Sequence, residues 1–152
     1  MKAKIIFSLT IAFLSFMLYD CASTSKSSSD KDQAAKEFKT DNDKGTVYLY
    51  RPGRAVGAAT QTQIKINGNN AGGTGPGTFF KWDLDPGNYV FSCFTTESSA
   101  AVELDVKPSK VYFLRQDTRM GVSSGRVTLK EVDESTGKEA VKKSKLLIST
   151  YK

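Results

Sequence analysis

Histidine is absent from the 152 residues, which removes the commonest general base and the commonest metal ligand before any motif is sought. Cysteine is nearly absent too. Cys21 and Cys93 stand far apart in unlike surroundings, so no disulfide framework is required of a domain large enough to bury its own core. There is no Arg-rich run and no interleaving of basic with aromatic residues. The formal charge of +6 therefore reads as a solvated basic surface, with no nucleic-acid partner expected. No helical pattern is long enough to cross between parallel strands, and the longest uncharged apolar run, residues 5–18, falls short of the roughly 20 residues that span a bilayer.

Three motif-like stretches fail on chemistry. In Gly72-Gly73-Thr74-Gly75-Pro76-Gly77-Thr78, Pro76 deletes a backbone donor and Gly77 stands where a phosphate loop places Lys. The stretch reads as a loose hairpin connection. Asp83-x-Asp85 lacks the later ligands and the bidentate Glu of a calcium loop, and it reads as the flank of a turn. Cys93 lies in an apolar strand without a cation or base to activate it, and behaves as a small core residue. No catalytic residue, cofactor or metal ligand is assigned.

What is present begins with an export signal. Lys2 and Lys4 precede the apolar run, and Leu18-Tyr19-Asp20-Cys21 resembles a lipobox with bulky and charged residues at its two middle positions. Residues 1–20 are read as a lipoprotein-type signal peptide and Cys21 as the lipid attachment site. An ordinary signal peptide, an uncleaved anchor and a buried core helix are the alternatives. Residues 21–44 are rich in Ser, Lys and Asp, with Phe38 the one large apolar side chain. They are expected to form a flexible tether with at most a helical turn near residues 34–39, spanning roughly 25 Å as a coil.

From residue 45 the pattern changes to short strands, expected at 46–51, 60–66, 79–84, 89–95, 101–106, 111–114 and 126–132. Thr62, Ile64 and Ile66 alternate with polar partners, and Asn67-Gly68 is a hairpin signal. Residues 79–95 hold most of the aromatic bulk. They read as a hairpin about Pro86-Gly87 that brings Trp82 or Leu84 within cross-strand reach of Tyr89 or Phe91. Asp133-Glu134-Ser135-Thr136-Gly137 reads as a turn, and 138–148 as a short helix whose end has strand as the alternative. The fold class is mostly β: a small antiparallel β-sandwich of about 7–8 strands over residues 45–152 with a short C-terminal helix.

The residues Val47-Tyr48-Leu49-Tyr50-Arg51-Pro52, Ile66-Asn67-Gly68, Pro86-Gly87-x-Tyr89, Val111-Tyr112-Phe113-Leu114-Arg115 and Met120-Gly121 with Gly125-Arg126 fall in an order that resembles the bacterial lipoproteins grouped as domain-of-unknown-function family 2846 (DUF2846). The Pro-Gly-x-Tyr turn is shared with PEGA-type and transthyretin-like β-modules. The resemblance implies a β-sandwich carried on the bacterial envelope by a lipid, and it implies no reaction. With Ala22 after the lipidated Cys, analogy favours the outer membrane in a Gram-negative host.

The expected function is a non-catalytic binding or interaction module, anchored to the membrane through its N-terminal lipid. The alternatives are an envelope enzyme with a cryptic site and a secreted protein with a structural role. Arg51, Arg54, Arg115, Arg119 and Arg126 lie at strand ends or in connections and are the candidate patch, because a guanidinium fork grips carboxylate or phosphate bidentately. Separate solvated charges or local salt bridges to residues such as Asp117 or Glu131 are the alternative. An acidic envelope polymer or an envelope protein is the expected partner. Oligomeric state is left open.

Overall fold

Every residue of the first strand, β1 (Gly45–Arg51), is buried, because the chain covers this strand on both faces. The computed structural model describes residues 24–54, 61–123 and 125–152. The leader and Cys21 lie outside them, as do residues 55–60. Among the described residues two helices and nine strands follow in the order α1 (Ser29–Ala35), β1, β2 (Thr62–Ile66), β3 (Asn69–Thr74), β4 (Thr78–Leu84), β5 (Gly87–Phe94), β6 (Ser99–Val106), β7 (Val111–Arg119), β8 (Arg126–Val132), α2 (Glu134–Lys142) and β9 (Lys145–Leu146). The strands form a five-stranded sheet, β8-β7-β1-β4-β9, and a four-stranded sheet, β3-β2-β5-β6. No helix among the described residues is long and apolar enough to cross a membrane.

Alternation along β1 separates two cores. Val47 and Leu49 face the second sheet and join Ile64, Ile66, Phe80, Trp82, Phe91, Cys93, Leu114 and Leu129 in the sandwich interior. Tyr48 and Tyr50 face outward and join Phe79, Phe113, Ala35 and Val141 beneath the helices. A strand buried on both faces carries apolar residues at successive positions, which explains the unbroken Val47-Tyr48-Leu49-Tyr50 run.

The expected strands are present, and four local expectations are corrected. The aromatic stretch is not a hairpin: β4 and β5 belong to different sheets, so the Pro86-Gly87 corner carries the chain from one layer to the other. Trp82 still meets Phe91, with ring centroids 5.9 Å apart, but across the interlayer space. The glycine-rich stretch is not a loose link either. Asn69–Thr74 is a strand paired with β2, and Gly72, at φ +119°, leaves room for Phe80, whose ring lies 2.9 Å from where a Cβ would be. Two strand pairs are parallel, β1 with β7 and β4 with β9. The β1-to-β7 connection passes through the entire second sheet and so needs no crossover helix.

The fourth correction concerns 133–142. Asp133 caps α2 by accepting from the Thr136 N–H at 2.9 Å, so the residues expected as a turn are the first turns of the helix. Gly137 sits where α2 crosses Phe113, and a Cβ there would lie 2.1 Å from the Phe113 ring. Gly137→Ala is expected to lose about 1–3 kcal/mol to overpacking, outweighing the roughly 1 kcal/mol that Ala gains in helix propensity. Chemical denaturation checks this, and stability at or above wild type would show that the helix shifts without cost.

The segment expected as a free tether is built into the fold from Thr24. The Ser27 N–H donates to the Leu146 carbonyl at 2.8 Å and the Ile148 N–H to the Ser25 carbonyl at 2.9 Å, which adds an extended piece beside β9. Thr24 Oγ1 accepts from the Gly73 N–H at 2.6 Å, joining that piece to β3 in the other sheet. In α1, buried Asp32 accepts from the Leu146 N–H at 2.7 Å and pairs with Lys36 at 2.7 Å. Ala35 accepts from the buried Tyr48 hydroxyl at 2.7 Å. Phe38 then packs on Tyr48 and Phe113. Composition alone made these residues look unable to bury enough surface, but Ala35 and Phe38 cover aromatic rings that β1 and β7 supply.

Candidate functional site

The arginines expected as one patch divide into three settings. Arg51 continues the inward-facing row of β1 and is 2 % exposed. Its guanidinium donates to the Thr74 carbonyl at 3.2 Å and to Thr62 Oγ1 at 3.5 Å, and burial lowers its pKa. It belongs to a buried polar end of the sandwich with Thr62, Thr74, Gln116 and Thr118, where Thr74 Oγ1 donates to Gln116 Oε1. Arg51 is therefore not part of a surface patch. Arg119 and Arg126 face each other in the β7–β8 register. Arg126 pairs with Glu97 at 3.3 Å, the carboxylate that also accepts from the Val122 and Ser123 N–H groups.

Arg54 and Arg115 share a cleft of about 460 Å³. Tyr50 and Arg115 are register partners on the parallel β1–β7 pair, so both side chains leave the outer face of the sheet beside α2. The chain then turns through Pro52 and Gly53 to bring Arg54 to the rim. The helix side supplies Glu139, Lys143 and Ser144. Their placement follows from the Asp133 cap, whose carboxyl is held well below the ordinary range by hydrogen bonds from Ser135 and Thr136.

Three features set the chemistry of this cleft. Arg115 grips Asp117 with both Nε, at 2.7 Å, and Nη2, at 3.0 Å, a bond that raises the Arg115 pKa and does not engage Nη1. Arg54 makes no ion pair among the described residues. The Tyr50 hydroxyl is buried, on a residue 1 % exposed, and has no hydrogen-bond partner among them. Burial raises the Tyr50 pKa, assisted by Asp117 and Asp133 and opposed by Arg115, so the phenol is neutral and a donor at neutral pH. A buried hydroxyl without a partner typically costs about 1–3 kcal/mol, and such orphans call for an explanation.

Two further hollows flank the extended N-terminal piece at Thr24 and Ser25 and, among the described residues, have Lys26 as their one charged lining residue. No group of His, Cys, Asp or Glu among the described residues could hold a metal. Cys93 is buried, and burial pushes its thiol up to about 11, so it is not a thiolate at neutral pH. Asp83 and Asp85 flank the corner as surface ion-pair partners of Lys81 and Lys44. Sequence reasoning missed the Tyr50 hydroxyl and the helix side of the cleft. The Asp133-x-x-Thr136 spacing was the available signal for the latter, since Asp is a strong helix cap.

Comparison with known proteins gives two findings. The family model described as "Protein of unknown function (DUF2846)" matches residues 41–128, more than half of the chain. An uncharacterized protein of Haemophilus influenzae is 28% identical over 142 residues, covering 92% of this chain and 83% of that protein. The family match includes Tyr50, Arg54 and Arg115, whereas α2 lies beyond it.

Proposed function

The chain belongs to the DUF2846 family, and on that premise we propose that it is a non-catalytic binding module held at the bacterial envelope by a lipid on Cys21. The observation that carries the binding reading is the cleft itself, lined by two arginines and by Tyr50, whose buried hydroxyl has no partner among the described residues. Convergent polar groups in a concave pocket are the usual mark of a ligand seat. The reading is non-catalytic because the cleft's one lining carboxylate, Glu139, is paired with Lys143 at 2.5 Å, and Cys93 is turned into the core.

The anchor reading rests on the charged start, the apolar run and the Cys that ends it. Because Thr24 is already bonded to β3, the leash from Cys21 to the domain is three residues and at most roughly 10 Å. The domain would be held close against its membrane, with the outer membrane the expected location in a Gram-negative host. A diacylglyceryl group supplies the two chains that stable anchoring needs.

Labelling cells with a fatty-acid analogue tests the anchor. Wild type is expected to take up label and Cys21→Ala to take up none, while Asp20→Gly, which restores a small residue to the lipobox, is expected to process more strongly. Equal labelling of wild type and Cys21→Ala would remove the lipid from the account.

A further inference from the structure

Building on the binding role proposed for this cleft, we infer that its occupant is a single carboxylate on a short uncharged stem, accepting a hydrogen bond from the Tyr50 hydroxyl and guanidinium contacts from Arg54 and Arg115. The hydroxyl is the first argument. Tyr50 lines the cleft while its hydroxyl is buried, so an acceptor reaching the cleft floor would satisfy a donor that nothing among the described residues satisfies.

Charge is the second argument. Arg54, Arg115 and Lys143 line the cleft, but Asp117 takes the Nε–Nη2 edge of Arg115 and Glu139 takes Lys143. Among the described lining residues one net positive charge, that of Arg54, remains uncompensated. A monoanion neutralises it, whereas a phosphate carrying close to two charges would leave an excess. Arg115 Nη1 and the Arg54 guanidinium have no partner among the described residues, and a guanidinium donates to carboxylate in a planar fork. The remaining walls at Pro52, Gly53 and Ala140 carry no charge, and the roughly 460 Å³ holds a stem of about dipeptide size. The C-terminus of a peptide and a sugar acid both present this chemistry.

The test is an NMR titration of the full chain in detergent with four probes: N-acetyl-alanyl-alanine, its C-terminal amide, glucuronate and inorganic phosphate. The dipeptide acid or glucuronate is expected to shift amide signals of residues 50–54 and 115 and of α2, with the amide and phosphate at least about tenfold weaker. Which acid binds identifies the source of the carboxylate. Tyr50→Phe is expected to weaken the binding acid about tenfold while raising the unfolding midpoint of the unliganded protein, because it deletes an orphaned donor. Arg54→Gln is expected to weaken binding and remove most of its salt dependence.

Four results would overturn the inference: equal binding of acid and amide, preference for phosphate, unchanged affinity in Tyr50→Phe, or a lowered midpoint in that variant. Should no probe bind while the full chain still retains envelope material in a salt-sensitive way, the carboxylate is excluded and the binding module stands.

Discussion

Phe91→Ala is expected to lower stability by about 3–5 kcal/mol, a large share of the roughly 5–15 kcal/mol that a domain of this size has. Phe91 is fully buried on β5. There it packs against Trp82 from the opposite sheet and Tyr89 from its own strand. The cavity would open at the junction of the two layers, where the Trp82 indole is fixed by donating to Ser149 Oγ at 2.8 Å and cannot swing to fill it. Equilibrium denaturation of wild type and variant measures the effect. A midpoint within error of wild type would mean that the interlayer aromatic cluster adjusts freely and is not the stabilising centre of the sandwich.

A soluble form beginning at Lys44 is expected to be less stable than one beginning at Thr24 by about 3 kcal/mol or more, and to bind hydrophobic dyes. The shorter form strips α1 and Phe38 from Tyr48 and Phe113. It also deletes the acceptors of the Tyr48 hydroxyl, the Leu146 N–H and the Ile148 N–H. The lost hydrogen bonds and the exposed aromatic surface set the expected difference, net of the chain entropy that the freed segment regains.

The difference between the two forms should depend on pH. Burial pushes the Asp32 carboxyl up, but Lys36, the Leu146 N–H and Lys145 together bring it below its ordinary 3.8. Its contribution is therefore complete above that value and lost as pH falls through the lower folded value. Two forms that melt alike at neutral pH would show that the N-terminal segment adds nothing to the domain.

The strands were legible because their signals are local. Ile64 and Ile66 alternate with polar neighbours, Asn67-Gly68 supplies the positive φ of a tight hairpin at 49° and 80°, and Pro108 ends β6. Layer assignment was not legible. Both a hairpin and a corner use Pro86-Gly87 and both bring Trp82 to Phe91, so the sequence pattern does not distinguish pairing within a sheet from packing between sheets. The helix cover was missed for a related reason. Asp32, Ala35 and Phe38 look too sparse to order a polar segment until Tyr48, Tyr50, Phe79 and Phe113 are seen to leave an apolar outer face on the first sheet.

For the candidate cleft, the arginines could be named from the sequence but their facing could not. Arg51 and Arg54 stand three positions apart, yet one enters the sandwich and the other reaches the cleft rim. Parity along β1 decides this for Arg51, and it could be read only once the inward row was known, whereas Arg54 lies past the end of the strand, beyond Pro52 and Gly53. Tyr50 gave no signal of its own, since a Tyr in a strand is ordinary and its missing partner is a property of the packed structure.

The most direct test of the binding module is a salt-graded titration of the full chain against solubilised envelope fraction and purified acidic envelope polymer, comparing wild type with Arg115→Ala and Arg119→Ala. Arg115 lines the cleft, whereas Arg119 lies at the far end of β7 opposite Arg126. The account predicts wild-type binding that weakens as salt rises, falls about tenfold or more in Arg115→Ala, and is unchanged in Arg119→Ala. Binding that ignores salt, or that responds equally to both substitutions, would contradict it.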